Sequence, residues 1–212
     1  MRYKGDFPEK CADGSDGEIE RVYTITRADW LAASSSAPST TPLAVQIRPI
    51  VESDAEALTA FYNAFSPETI RTFRPLREKT TVDVCERLIA DNQTDPRRRY
   101  DLLAEDSRRI TGWAFLADLQ TEHPYLGIVV GEDQRGRGIG KALMERLHNW
   151  SDQHGVAEIC LMVVKDNDRA RRLYEQFGFV VYDEEFDELD QLDYFHMVRS
   201  LQAYNDLAIG QL

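Results

Sequence analysis

Residues Gln134 to Lys141 read Gln-Arg-Gly-Arg-Gly-Ile-Gly-Lys, placing three alternate glycines between the apolar run Leu126 to Val130 and the amphipathic stretch Ile139 to His154. A strand, a glycine turn and a helix in that order make a site for an anion. Without Cβ at Gly136, Gly138 and Gly140, backbone N–H groups can converge on a phosphate, and the free amides of a helix N-terminus add positive partial charge. Arg135 and Arg137 supply charge-assisted contacts of the same sign. Spacing separates this turn from two better-known ones. The dinucleotide fingerprint needs glycine where Lys141 stands, and a P-loop needs glycine at Arg135 with Ser or Thr at Ala142.

Some thirty residues on comes Asn167-Asp-Arg-Ala-Arg-Arg-Leu-Tyr-Glu-Gln-Phe-Gly-Phe179, preceded by the strand-like Ile159 to Lys165 and followed by Val180 to Tyr182. Asp166 or Asn167 caps a short helix, Ala170, Leu173 and Phe177 share one face, and Gly178 stands where a C-terminal cap belongs. Arg169, Arg171 and Arg172 read mainly as a solvated face. Tyr174 borders the buried stripe, and such a tyrosine is ordinarily core.

Together, Arg135-x-x-Gly138-x-Gly140 and the Asn167 to Phe179 segment resemble the acyl-CoA pyrophosphate loop and the second motif of the GCN5-related N-acetyltransferases. The resemblance extends over about 155 residues. It implies an α/β fold whose mixed, mostly antiparallel central sheet carries helices on both faces, and acetyl-CoA as co-substrate. It also gives residues roles: Tyr174 protonates the departing thiolate, Asn167 contacts the pantetheine arm, Arg135, Gly136, Arg137, Gly138 and Gly140 hold the pyrophosphate, and Ile128 and Val130 offer backbone groups to pantetheine from a strand that splays from its neighbour. Val130 is the candidate oxyanion donor.

The implied reaction is direct attack of a primary amine, on a small molecule or a protein, upon the thioester. A free alkylamine with a pKa of about 10.4 must first lose its proton, so a base or a water relay is expected. Several relatives have a glutamate where this chain has Pro124 and Tyr125. Glu122 and His123 are the nearest candidates, and a shift of one residue would reverse their facing. A non-catalytic acyl-CoA-binding module is the alternative, favoured by the missing glutamate and opposed by Tyr174; a protein-interaction domain would bind no CoA.

The 212 residues, 42% of them hydrophobic, are enough for one sizeable core. Apolar runs are too short for a bilayer span, and Lys4, Asp6, Glu9 and Lys10 leave no signal-peptide core, so a cytoplasmic protein is expected. Cys11, Cys85 and Cys160 suggest no disulfide framework, and neither they nor His123, His148, His154 and His196 show metal-ligand spacing, so no metal is expected. A net charge of −12 argues against nucleic acid. Asp183, Glu184, Glu185, Asp187, Glu188, Asp190 and Asp193 form an acidic hairpin that would favour cationic acceptors, or simply be solvated. Phe73, Arg71 and Arg74, in the loop-like stretch 66–78, would line the acceptor cleft and suit a carboxylate.

Residues 1–42 form an extension ending in the linker-like stretch Ala33 to Pro42, with a strand at Ile19 to Ile25, Trp30 and Leu31 available for packing on the domain or across a homodimer, and disorder before Glu18. The domain occupies 43–200 and a tail 201–212. Its expected elements are a strand at Val45 to Ile50, a helix opened by a Ser53/Glu56 capping box and buried through Leu58, Phe61, Tyr62 and Phe65, and a helix from Thr81 to Asp91 carrying Val82, Cys85, Leu88 and Ile89. A hairpin of Tyr100 to Ala104 and Ile110 to Leu116 precedes the glycine turn.

Overall fold

The computed structural model describes residues 45–200; the expectations placed on 1–42 and on the 201–212 tail lie outside the described residues. In chain order the elements are β1 (Gln46–Pro49), a 3-10 turn (Glu52–Asp54), α1 (Ala55–Asn63), α2 (Pro67–Thr72), α3 (Val82–Asp91), β2 (Tyr100–Asp106), β3 (Arg109–Ala117) and β4 (Tyr125–Val130). A second 3-10 turn (Glu132–Gln134) leads into α4 (Ile139–Gln153), then β5 (Glu158–Val164), α5 (Asp168–Gln176), β6 (Val180–Asp187) and β7 (Leu192–Ser200).

The seven strands form one sheet in the order β1-β2-β3-β4-β5-β7-β6. Every neighbouring pair is antiparallel except β4 with β5. That exception follows from connectivity, since the passage from β4 to β5 runs through α4 and a helical crossover returns a strand parallel to its predecessor.

Strand alternation divides the interior in two. Leu102, Ala104, Ala114, Leu116 and Leu126 join Leu143, Met144 and Leu147 of α4 and Tyr174 of α5 on one face. Leu103, Trp113, Phe115 and Val129 point the other way, against Leu58 and Tyr62 of α1 and Cys85 and Ile89 of α3. Successive residues of β2, β3 and β4 thus serve opposite layers, which is why these runs are apolar throughout.

Three local expectations need correcting. The α1 start is organised by Asp54 rather than Ser53: its carboxylate accepts from Val51 N–H at 2.8 Å and takes a two-pronged contact from Arg48 at 2.7 and 2.8 Å. A buried carboxylate with a guanidinium partner outweighs a solvated hydroxyl. Stretch 66–78 is not all loop, because Ser66 caps α2, accepting from Thr69 N–H at 3.3 Å, and Pro67 occupies its first turn. The acidic residues, finally, are largely strand. β6 continues through Asp187 and, as the terminal strand of the sheet, carries charges that discourage edge-to-edge pairing.

The other elements agree with expectation to within a few residues. The β2–β3 turn is two residues, Ser107 and Arg108, both in the left-handed region at φ 51° and 69°, as the twist of a tight hairpin requires. α5 closes as expected at Gly178, with Phe179 N–H bonded to Tyr174 O at 3.2 Å and Gly178 N–H to Glu175 O at 3.1 Å.

Candidate active site

β4 and β5 touch at one register position. Tyr125 lies opposite Cys160, and Cys160 N–H donates to Pro124 O at 2.9 Å; beyond that pair the strands diverge. Along its other edge β4 pairs with β3 from Tyr125 through Val130.

Backbone direction within β4 follows from two bonds. Gly131 N–H donates to Thr111 O on β3 at 2.8 Å, while Pro124 O faces β5. Peptide groups alternate along a strand, so odd-numbered residues address β3 and even-numbered ones address β5. Ile128 and Val130 therefore turn their N–H and C=O groups into the opening, where the described residues provide no ladder partner. Their side chains pack toward α4 and α5.

At the open end of β4, the 3-10 turn leads through Arg135 to Gly136 and Gly138, both at φ 81°. Gly138 is the N-cap of α4. A side chain at Gly136 would meet nothing within 4 Å, so the demand for glycine there is conformational rather than spatial. Gly140 is different: it lies in the helix, and a Cβ would make ordinary contact with Leu173 at 3.5 Å and Val130 at 3.7 Å. The first-turn amides of this 15-residue helix have no intrahelical acceptor and point out of its N-terminus.

The arginines of the turn are engaged within the protein. Arg135 Nη2 donates to Thr69 Oγ1 at 2.7 Å, and Glu132 accepts from Thr69 Oγ1 at 2.6 Å and Ser66 Oγ at 2.5 Å. The Ser66 and Thr69 hydroxyls hold the Glu132 carboxyl down to about 2. The glycine turn is thereby tied to the start of α2. Arg137 bonds Gln134 and approaches Asp106 at 3.8 Å.

Tyr174 lies on α5 and is buried, with Phe179 edge-on at 5.9 Å. Burial, with a smaller contribution from Tyr125, pushes its phenol well above the ordinary tyrosine range, so it holds its proton at neutral pH. Asn167 is the N-cap of α5, its Oδ1 accepting from Ala170 N–H at 3.2 Å. Arg171 pairs with Asp168 and Glu175, and Arg172 with Asp168, as a solvated face would.

The residues expected to line the acceptor cleft have internal partners. Arg71 pairs with Asp166 and Arg74 with Asp190, drawing the α2 segment against the turns after β5 and before β7. Phe73 packs on Trp113 at 5.7 Å and Phe115 at 6.3 Å. Lys165 engages Glu184 and Asp193, so part of the acidic charge is balanced from within. Of the base candidates, Glu122 is exposed and His123 Nδ1 lies 2.9 Å from Glu158 Oε1 at the closed end of the opening.

Two groups escaped the sequence reading. Glu158 and Cys160 alternate along β5 and meet His123, and His196, buried on β7 opposite Met162, places Nε2 2.8 Å from Glu185. Alternation on β5 was visible, but neither partner could be found without strand order.

A family model described as the acetyltransferase (GNAT) family matches residues 58–179. The chain belongs to the acetyltransferase (GNAT) family. It is 28% identical over 140 residues to a phosphinothricin N-acetyltransferase of Streptomyces coelicolor, covering 64% of this chain and 81% of that one. It is 36% identical over 92 residues to the mycothiol acetyltransferase of Kocuria rhizophila, covering 40% of this chain but 30% of that one. The chain thus spans less than a third of the mycothiol acetyltransferases that it matches. In fold it is similar to the spermidine N-acetyltransferase of Vibrio cholerae solved with CoA and spermine, at a TM-score of 0.63 and 20% identity over 76% of this chain and 98% of that one.

Proposed function

We propose that this family member is an N-acetyltransferase that transfers an acetyl group from acetyl-CoA to a primary amine of a small molecule or protein. The observation that carries the reading is the wedge between β4 and β5, with Ile128 and Val130 facing in and a glycine-capped helix at its mouth.

The residues fit acetyl-CoA on this structure's own terms. The αL glycines and first-turn amides of α4 suit the pyrophosphate, with Arg135 and Arg137 beside it. The exposed β4 edge suits the amides of pantetheine, which it would bind as one strand binds another. Val130 N–H, which faces the opening, serves as the donor to the charge that develops on the thioester oxygen. Tyr174, protonated at neutral pH, donates to the leaving thiolate. Asn167 contacts the pantetheine arm while capping α5.

Amine deprotonation falls to a water relay or to His123, whose ring is oriented by Glu158; exposed Glu122 has no such support. Internal pairing of Arg71 and Arg74 removes the main argument for a carboxylate-bearing acceptor. The surplus acid of β6 and its turn favours a cationic amine. Tyr174 argues against a non-catalytic acyl-CoA-binding module. A cytoplasmic setting, no nucleic acid or membrane partner, and assembly as a homodimer complete this reading.

The test is thiol release from acetyl-CoA against polyamines, aminoglycosides, amino acids and lysine peptides, beside calorimetry of CoA binding. Turnover with an amine is expected. Tyr174→Phe should lower kcat by about 10- to 10,000-fold with donor affinity retained. CoA binding without turnover on any amine would instead support the module, and no CoA binding would remove both.

A further inference from the structure

The search outside the wedge leads to its closed end. His123 Nδ1, Glu158 Oε1 and Cys160 Sγ all lie within 4.8 Å of one another, with 2.9 Å between nitrogen and carboxylate and 3.8 Å between sulfur and carboxylate. Donors around a tetrahedral Zn2+ with bonds of about 2.0–2.3 Å stand about 3.3–3.7 Å apart, a spacing that the observed separations bracket. We propose that His123, Glu158 and Cys160 form a binding site for a zinc-like divalent metal ion, with the fourth position open to solvent.

Three features support a built site rather than a chance meeting. The donor set combines imidazole, carboxylate and thiol, the mixture that Zn2+ takes and Mg2+ or Ca2+ does not. Its geometry is held by backbone: Glu158 and Cys160 alternate on β5 and so share a face, and the Cys160 N–H to Pro124 O bond fixes the segment carrying His123 against them. Glu158, moreover, has no lysine or arginine partner among the described residues, its one ion-pair contact being His123. Cys160 Sγ–H donates to Glu158 Oε1; on binding, that proton would leave to solvent, and the carboxylate and thiolate together would neutralise the dication.

Cys160 is 1% exposed, whereas His123 and Glu158 are partly open, so an ion would enter from the imidazole and carboxylate side and meet the thiolate last. Bound there, it would cross-link β4 to β5 where the two strands touch. Coordination through Nδ1 would leave the proton on Nε2, so a metal-loaded His123 could not take a proton from the amine, and deprotonation would fall to the water relay.

The experiment is a Co2+ titration of the full chain after chelation and removal of adventitious metal, read by absorption and repeated in competition with Zn2+. One equivalent, with tetrahedral d–d bands and a thiolate-to-cobalt charge-transfer band displaced by Zn2+, is the expected result. His123→Gln and Glu158→Gln, at partly exposed positions and checked for a metal-free thermal midpoint equal to the parent's, should each weaken binding by more than about 100-fold, beyond what loss of an outer-sphere partner costs. Cys160→Ser should lose the charge-transfer band. No stoichiometric uptake by the parent would overturn the site. So would undiminished affinity in the two Gln variants, or a charge-transfer band that disappears with Cys11→Ser or Cys85→Ser instead. None of these readouts depends on acetyl transfer.

Discussion

The two sides of the wedge are built in different ways. The side proposed for the donor, from β4 through the glycine turn to α4 and the cap of α5, presents mostly backbone: strand peptide groups, left-handed glycines and helix amides with no intrahelical acceptor. The side proposed for the acceptor, from α2 to the β6–β7 turn, is held by side chains, with Arg71 on Asp166, Arg74 on Asp190 and Lys165 on Glu184. Backbone groups cannot be substituted away, so a chain that must recognise one invariant donor does well to use them. Surface ion pairs change with single substitutions at little cost in stability, which suits the side that must differ between acceptors.

The largest expected effect tests the donor side. Gly138→Val should eliminate CoA binding in calorimetry, because a β-branched residue is forced into φ 81° at the cap of α4 and its side chain occupies the anion's place. Retained affinity would mean that the turn is not where the pyrophosphate sits.

Acid stability separates the scaffold from both sides. His148 is buried, stacked on Phe177 at 5.1 Å, and burial, with Arg199 nearby, lowers it to about 3 from an ordinary 6.5. The folded-state value lies below the unfolded one, so the neutral ring's contribution is complete above about pH 6.5 and is lost as pH falls toward 3, at up to about 1.4 kcal/mol per pH unit. Urea midpoints followed from neutral pH downward should therefore fall, and His148→Leu should flatten that slope. An unchanged slope would assign the acid limb to other groups.

Smaller effects belong to the acceptor side. Arg74→Ala should cost no more than about 1 kcal/mol of stability, since the pair is partly exposed. It releases Asp190, so the KM of a polycationic acceptor should fall severalfold while the donor Kd stays fixed; a matching change in both would blur the division between the sides. Smallest of all is Gly140→Ala. Its Cβ finds only ordinary contacts, and it gains helix propensity of about 1 kcal/mol, so thermal stability should hold or rise. A marked loss of stability would show that α5 and β4 sit closer to α4 than these distances state.

The same contrast explains what could be read from residues alone. Gly136, Gly138, the Asn167 cap and Gly178 act within one or two turns of chain, and their local logic is seen in the fold, whereas Gly140 sits in the helix with room for a Cβ. The partners of Arg71 and Arg74 were not legible because Asp166 and Asp190 are about a hundred residues away and no local rule links them. Likewise the His123 cluster joins residues on either side of α4, and only strand order unites them. The α2 helix was a different kind of miss: Ser66 and Pro67 announced it, but six residues with few apolar positions gave no periodicity to weigh against the arginines and prolines around them.

Because β4 and β5 meet at one residue pair, the two halves of the sheet have almost no hydrogen bonds by which to stabilise each other. The halves are held instead by side chains, Leu116 and Leu126 sharing one buried cluster with Leu161, Val163 and Met197, and a ligand lying along Ile128 and Val130 would add, as a further strand, the backbone bonds that the sheet lacks there. Amide exchange at those two residues would then slow on binding.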